Sequence, residues 1–257
     1  MQDAFVETPK GRIHYLRGGS GPPLLLLHSN GRSAREHDGV FSSLCAANDV
    51  IAWDMPGQGD SHPITEHWTI ADYADAAVAL LDGLGIQKAY VAGSSVGGNI
   101  TIEVCRRHPD RVLRGISVEC PFRDESNWPA SWPQVEKNFS ECVQSFEKVA
   151  PRFHALTQSI LDDWNRDRSK TTPETMMDAM WAMRRYDLQA ALTGLKPDLH
   201  MVFGKESPTA MRTLSRWDGL VPPERIHQVA DAGHFIVIDQ PAAFAEIVGR
   251  LAGENRS

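Results

Sequence analysis

An α/β fold, a mostly parallel central sheet flanked by helices, is what the 257-residue sequence predicts, on three observations. Residues 24–27 (Leu-Leu-Leu-Leu) and 50–53 (Val-Ile-Ala-Trp) are continuous apolar runs, as expected of strands buried on both faces. Such runs alternate with amphipathic stretches of helix length through most of the chain. Gly93-Ser94-Ser95-Val96-Gly97 stands between a strand-like stretch, residues 88–92, and a helix-like one, residues 99–107.

Taken in order, residues 5–7 and 12–16 alternate around Thr8-Pro9-Lys10-Gly11 and read as an opening antiparallel hairpin. The strand at 24–27 ends in His28-Ser29-Asn30-Gly31, and residues 33–46 form a helix. The strand at 50–53 runs into Asp54-Met55-Pro56-Gly57-Gln58-Gly59-Asp60-Ser61. That run lacks the Lys-Ser/Thr of a phosphate loop and reads as a rim turn, with Asp54 bonding backbone. Residues 69–84 form an amphipathic helix that Thr69 and Asp72 cap and Gly85 stops. Residues 111–120 give a further strand, 199–203 and 225–229 the last two, and 241–251 the closing helix. Between 121 and 195 no strand-like run occurs, and the segment carries Trp128, Trp132, Trp164 and Trp181 with Met176, Met177, Met180 and Met183. It is expected to be a helical cap, inserted after the strand that ends at Glu119, over the sheet's carboxyl edge. The core is then 1–120 with 196–257, and the cap 121–195.

A hydrophobic content of 42% suits one large core, and a net charge of −7 gives no electrostatic footprint for nucleic acid or an anionic membrane. No apolar run is long enough to span a bilayer, and the first residues lack the basic-then-apolar pattern of a leader. Cys45, Cys105, Cys120 and Cys142 show no C-x-x-C spacing, so reduced cysteines and a cytoplasmic location are expected. The ten histidines include no H-E-x-x-H or H-x-H, so no metal and no cofactor are expected. The oligomeric state is open, a homodimer included.

The chemistry centres on Ser95. A serine with glycines two before and two after, on a strand-to-helix turn, projects its hydroxyl from the sheet edge. The helix behind it presents its positive end to developing negative charge. A serine hydroxyl is a weak nucleophile and needs a base. His234, in Asp231-Ala232-Gly233-His234-Phe235 after the last strand, stands on a loop of the same edge. An oxyanion hole is expected from the amide of Val96 and that of Asn30, with His28 as a hydrogen-bonded support behind it. For the acid, the usual Gly-x-x-Asp is replaced by Gly204-Lys205-Glu206-Ser207. Glu119, at the tip of a buried strand, is favoured. Glu206, one residue early, and Asp124 are the alternatives. Tryptophans and methionines at helical spacing serve core packing as readily as a pocket; Trp128, Trp132, Trp164 and Trp181 are the candidates to line an apolar substrate site.

The elbow, the Gly-His loop and the strand pattern resemble the α/β-hydrolase superfamily over nearly the whole chain. Within it, Asp54-Met55-Pro56-Gly57, Gly93-Ser94-Ser95-Val96-Gly97, Pro109-Asp110-Arg111-Val112, Glu119-Cys120-Pro121 and Gly204-Lys205-Glu206-Ser207-Pro208-Thr209 resemble the zearalenone hydrolases. The resemblance implies an α/β-hydrolase fold, a Ser95–His234–Glu119 triad, and a small-molecule lactone or ester of zearalenone type as substrate. A C–C bond hydrolase, a general carboxylesterase or a ligand receptor on the same fold are the rival readings.

Overall fold

The computed structural model describes residues 1–123, 126–196 and 198–253. Eight strands form one sheet: β1 (Gln2–Thr8), β2 (Gly11–Gly19), β3 (Pro23–Leu27), β4 (Asp49–Trp53), β5 (Ala89–Ser94), β6 (Val112–Val118), β7 (Leu199–Gly204) and β8 (Ile226–Val229). Their order is β1-β2-β4-β3-β5-β6-β7-β8. β2 runs antiparallel to β1 and β4, and the other pairs are parallel. All the parallel strands therefore end on one edge, where ligands of such sheets bind.

Period-two alternation divides each central strand between two cores. Leu25 and Leu27, Ile51 and Trp53, and Ala89 and Val91 face one side. Leu24 and Leu26, Val50 and Ala52, and Tyr90 and Ala92 face the other. The helices on the first side are α2 (Ile70–Gly83) and α3 (Val96–Arg107), introduced after α1 (Asp38–Cys45). The second side is covered by α1 and by residues of the chain's end, Phe244, Val248 and Leu251.

Several boundaries differ from expectation for local reasons. The helix behind the elbow starts at Val96, not Asn99, because Ser95 itself is its N-cap and Gly97 and Gly98 are already helical. The stretch 33–46 divides into a 3-10 turn, Ala34–His37, and α1, with the Ser33 hydroxyl capping the turn. The strand expected over 111–120 covers 112–118, because Pro109–Arg111 forms a short 3-10 turn. The Thr69–Asp72 capping box is present in full, and Gly85 follows at φ 70°.

Between β6 and β7 the described residues contain no strand. They form α4 (Trp128–Phe139), α5 (Phe146–Val149), α6 (Gln158–Arg168), α7 (Pro173–Arg184) and α8 (Leu188–Leu192). After β7 come α9 (Pro208–Thr213), α10 (Ile236–Asp239) and α11 (Pro241–Leu251). No helix is long and apolar enough to cross a membrane among the described residues.

Candidate active site

Ser95 follows β5 directly and has φ 57° and ψ −112°, a conformation an L-residue rarely adopts. Its amide bonds Val118 O at 2.8 Å, which ties the turn to β6. A methyl on Gly93 would overlap the carbonyl of Gly97, and one on Gly97 would overlap the carbonyl of Leu27. The two glycines let strand, turn and helix approach that closely.

Glu119 caps β6 and also has a left-handed backbone, φ 50°. That twist, which the sequence did not reveal, turns a fully buried carboxylate toward its neighbours. Oε1 accepts the Gly204 amide at 2.6 Å. Oε2 accepts the Ser207 hydroxyl at 2.5 Å and lies 3.0 Å from His234 Nδ1. Charge-assisted hydrogen bonds of this kind offset the cost of burying a carboxylate. Ser207 also accepts the amides of Thr209 and Ala210, at 3.2 and 3.3 Å, so its own proton is left for Glu119.

His234 follows β8 on a loop fixed by its amide bond to Arg152 O at 2.7 Å. Its ring is 12% exposed. No hydrogen bond joins Ser95 Oγ to this ring among the described residues; in unliganded enzymes that bond often tightens only on substrate binding. Glu206 points elsewhere: its carboxylate meets His154 Nδ1 at 2.7 Å, on the exposed surface. Asp124 lies outside the described residues.

The amides of Asn30 and Val96 have no acceptor among the described residues. The turn that holds Asn30 is braced from two directions. Its side chain donates to Met176 O in α7 at 2.9 Å and accepts Gln58 Nε2 at 2.7 Å, while Gln58 Oε1 takes the Gly31 amide at 2.7 Å. His28, fully buried, accepts the Met55 amide on Nε2 and bonds Ser29 O through Nδ1. Burial holds its pKa below the usual histidine value, so the ring is neutral. Asp54 bonds the amides of Ala34 and Asp60, as expected of a rim turn, and also His14.

The tryptophans separate. Trp128 and Trp132 are buried against each other at 5.9 Å between ring centres, and Trp132 meets Trp181 at 4.3 Å. Trp181 is 36% exposed and lines a surface cavity of about 180 Å³ with His67, Trp68, Asp178 and Arg185. Arg184 lies 4.7 and 4.8 Å from the Trp132 and Trp181 rings. Trp164 alone packs toward the histidine loop: it meets Phe235 at 4.9 Å, and Phe235 meets the His234 ring at 5.0 Å. The four cysteines are free thiols.

An eight-stranded sheet of this order, with a strained serine turn and a histidine loop on one edge, defines an α/β hydrolase. The chain belongs to the Alpha/beta hydrolase family, whose model matches residues 24–247. It is 25% identical to a pimeloyl-acyl-carrier-protein methyl ester esterase of Aeromonas hydrophila subsp. hydrophila, over 92% of this chain and 98% of the relative. It is 26% identical to the 2-hydroxymuconate semialdehyde hydrolase of Pseudomonas sp. (strain CF600), over 92% of this chain and 88% of the relative. Among solved structures, the enol-lactonase from Burkholderia xenovorans LB400 superposes with a TM-score of 0.79 at 22% identity, over 95% of this chain and 98% of the other.

Proposed function

We propose that the protein is a serine hydrolase that cleaves a carboxylic ester or lactone through an acyl-enzyme. One observation carries the reading: a buried carboxylate 3.0 Å from Nδ1 of a loop histidine, on the sheet edge that also bears the strained serine. Glu119 keeps the His234 proton on Nδ1, so Nε2 is free to take the Ser95 proton. Ser95 Oγ then bonds the acyl carbon, and the carbonyl electron pair moves to oxygen. The amides of Asn30 and Val96 receive that charge, each such donor contributing about 2.7–4 kcal/mol. On collapse the bond to the alcohol oxygen breaks and His234 returns the proton to it. His234 next deprotonates water, which attacks the acyl carbon; Ser95 leaves and regains its proton. A lactone keeps its alcohol tethered to the acyl chain, so water must attack before the ring recloses.

In this reading residues 121–195 are a cap over the site, and Trp164 with Phe235 walls one side of it. Trp128, Trp132 and Trp181 give the cap its own packing. The protein needs no cofactor and works on a small molecule in the cytoplasm. The resemblance in the elbow and Glu119 segments makes a resorcylic macrolactone of the zearalenone type the first substrate to try. The 26% likeness to a 2-hydroxymuconate semialdehyde hydrolase supports C–C hydrolysis as a second reading.

The test is mass spectrometry of zearalenone incubated with the protein, with Ser95→Ala in parallel. Addition of water by the wild type alone supports both reaction and nucleophile. An unchanged macrolactone removes that substrate and passes the question to small esters and dienone substrates. Failure of a serine-reactive phosphonate to label Ser95 overturns the nucleophile itself.

A further inference from the structure

Beside the candidate site three arginines gather on one tryptophan, two of them buried and Arg152 half-buried. Three guanidinium groups surround the Trp164 ring, those of Arg152, Arg32 and Arg168, at 4.6, 5.2 and 5.5 Å from its centre. Arg32 is 4% exposed and Arg168 fully buried. The two carboxylates among them are Glu36 and Asp167, which face Arg32 at 3.5 and 3.3 Å without forming hydrogen bonds. Their remaining oxygens are taken by Ser29 and Ser33. Burial pushes the Glu36 carboxyl up to about 7, so it is a weak counter-charge at neutral pH. Glu141, the next acid, is paired with Lys148.

The donors are also incompletely used. Arg168 spends Nε and Nη2 on the carbonyls of Cys142, Asn138 and Glu141, and its Nη1 has no partner. Arg152 gives Nη2 to Gln144 Oε1, and its Nε has none. Buried cationic donors left without acceptors are costly unless something arrives to pair with them. Both groups adjoin the reaction centre. A methyl on Gly31 would stand 2.7 Å from Arg168 Nη1, so that guanidinium rests on the residue after Asn30. The Arg152 carbonyl holds the His234 amide, and its side chain lies 5.9 Å from the centre of the Phe235 ring.

We infer that Arg152 and Arg168, with Arg32 behind them, receive a carboxylate carried by the substrate at a distance from the scissile ester. The inference rests on the serine-hydrolase reading alone and points to a substrate class other than the neutral macrolactone: a monoanionic ester or lactone, with an apolar stretch between its two ends. Burial and mutual repulsion lower the Arg152 pKa to about 9 and that of Arg168 to about 10, which an arriving anion would reverse. Arg168 is fully buried and Arg152 half-buried, so an anion reaches both only if the helical segment shifts outward.

Monomethyl adipate and dimethyl adipate separate the possibilities, since they share chain and ester and differ in one charge. Binding of each to Ser95→Ala is measured by calorimetry, and kcat/KM by methanol release from the wild type. The monoester is expected to bind about 10- to 100-fold more tightly, the range of one charge-assisted hydrogen bond. Arg152→Gln is expected to remove that preference and Arg152→Lys to keep most of it. Equal binding of the two esters, no binding of either, or a preference that survives Arg152→Gln overturns the inference. Phosphonate labelling of Ser95 is scored separately: its failure refutes the hydrolase reading, whereas the binding ratio addresses the anion alone.

Discussion

Replacing Glu119 by glutamine exchanges one oxygen for an NH₂ group in a site where every neighbour is a donor. The carboxylate accepts from Gly204 N, Ser207 Oγ and His234 Nδ1. With the amide oxygen kept on Gly204 N, the NH₂ faces Ser207 and His234. Ser207 already accepts two amides, so the new N–H turns to His234 Nδ1. Nδ1 must then be unprotonated, and the imidazole proton moves to Nε2, the atom that should take the proton from Ser95. The opposite flip leaves the Gly204 amide against an NH₂ group, an unsatisfied buried donor that costs about 1–3 kcal/mol. The expected loss in kcat is about 10⁴, or about 5.4 kcal/mol of barrier. Ester hydrolysis of Glu119→Gln and Glu206→Gln, each with a thermal melt to establish folding, decides it. A folded Glu119→Gln enzyme within about tenfold of wild type, or a larger loss from Glu206→Gln, refutes the assignment.

Ser207→Ala should lower kcat about tenfold or more, the worth of one hydrogen bond to a charged group. Ser207→Thr, which keeps the hydroxyl, should restore kcat. A fall in Tm with kcat unchanged would reduce Ser207 to its role as the N-cap of α9. Stability should decline on the acid side, because burial lowers the pKa of His28 and takes that of His37 from 6.5 to about 3. The folded state then binds fewer protons than the unfolded chain, so this contribution is complete above pH 6.5 and lost as pH falls toward 3. Calorimetric Tm values across that range test it, and His37→Gln should flatten the slope.

The sheet was legible because its signals are local. Residues 24–27 and 50–53 announce doubly buried strands by composition alone, and Thr69 with Asp72 marks a helix start by spacing. The strand-to-helix turn at Ser95 was legible for the same reason: its glycines are two residues away. Glu119 became a candidate acid only through an absence, the serine at 207 where an aspartate is usual. What turns its carboxylate is a backbone twist, φ 50°, that no glycine or asparagine signals. The arginines around Trp164 were not legible. Arg32, Arg152 and Arg168 come from three separate parts of the chain, and each reads singly as an ordinary surface charge. The four tryptophans looked alike in sequence; their partners, which only folding supplies, set Trp164 apart.

The bond from Asn30 Nδ2 to Met176 O joins the turn after β3 to α7. On the proposed function, in which the Asn30 amide receives the oxyanion, that bond acts as an interlock. Displacing the helical segment to admit a molecule would also release one of the two braces on that turn, so an open form would be the less prepared to accept charge on oxygen, and water entering it would meet an unready site.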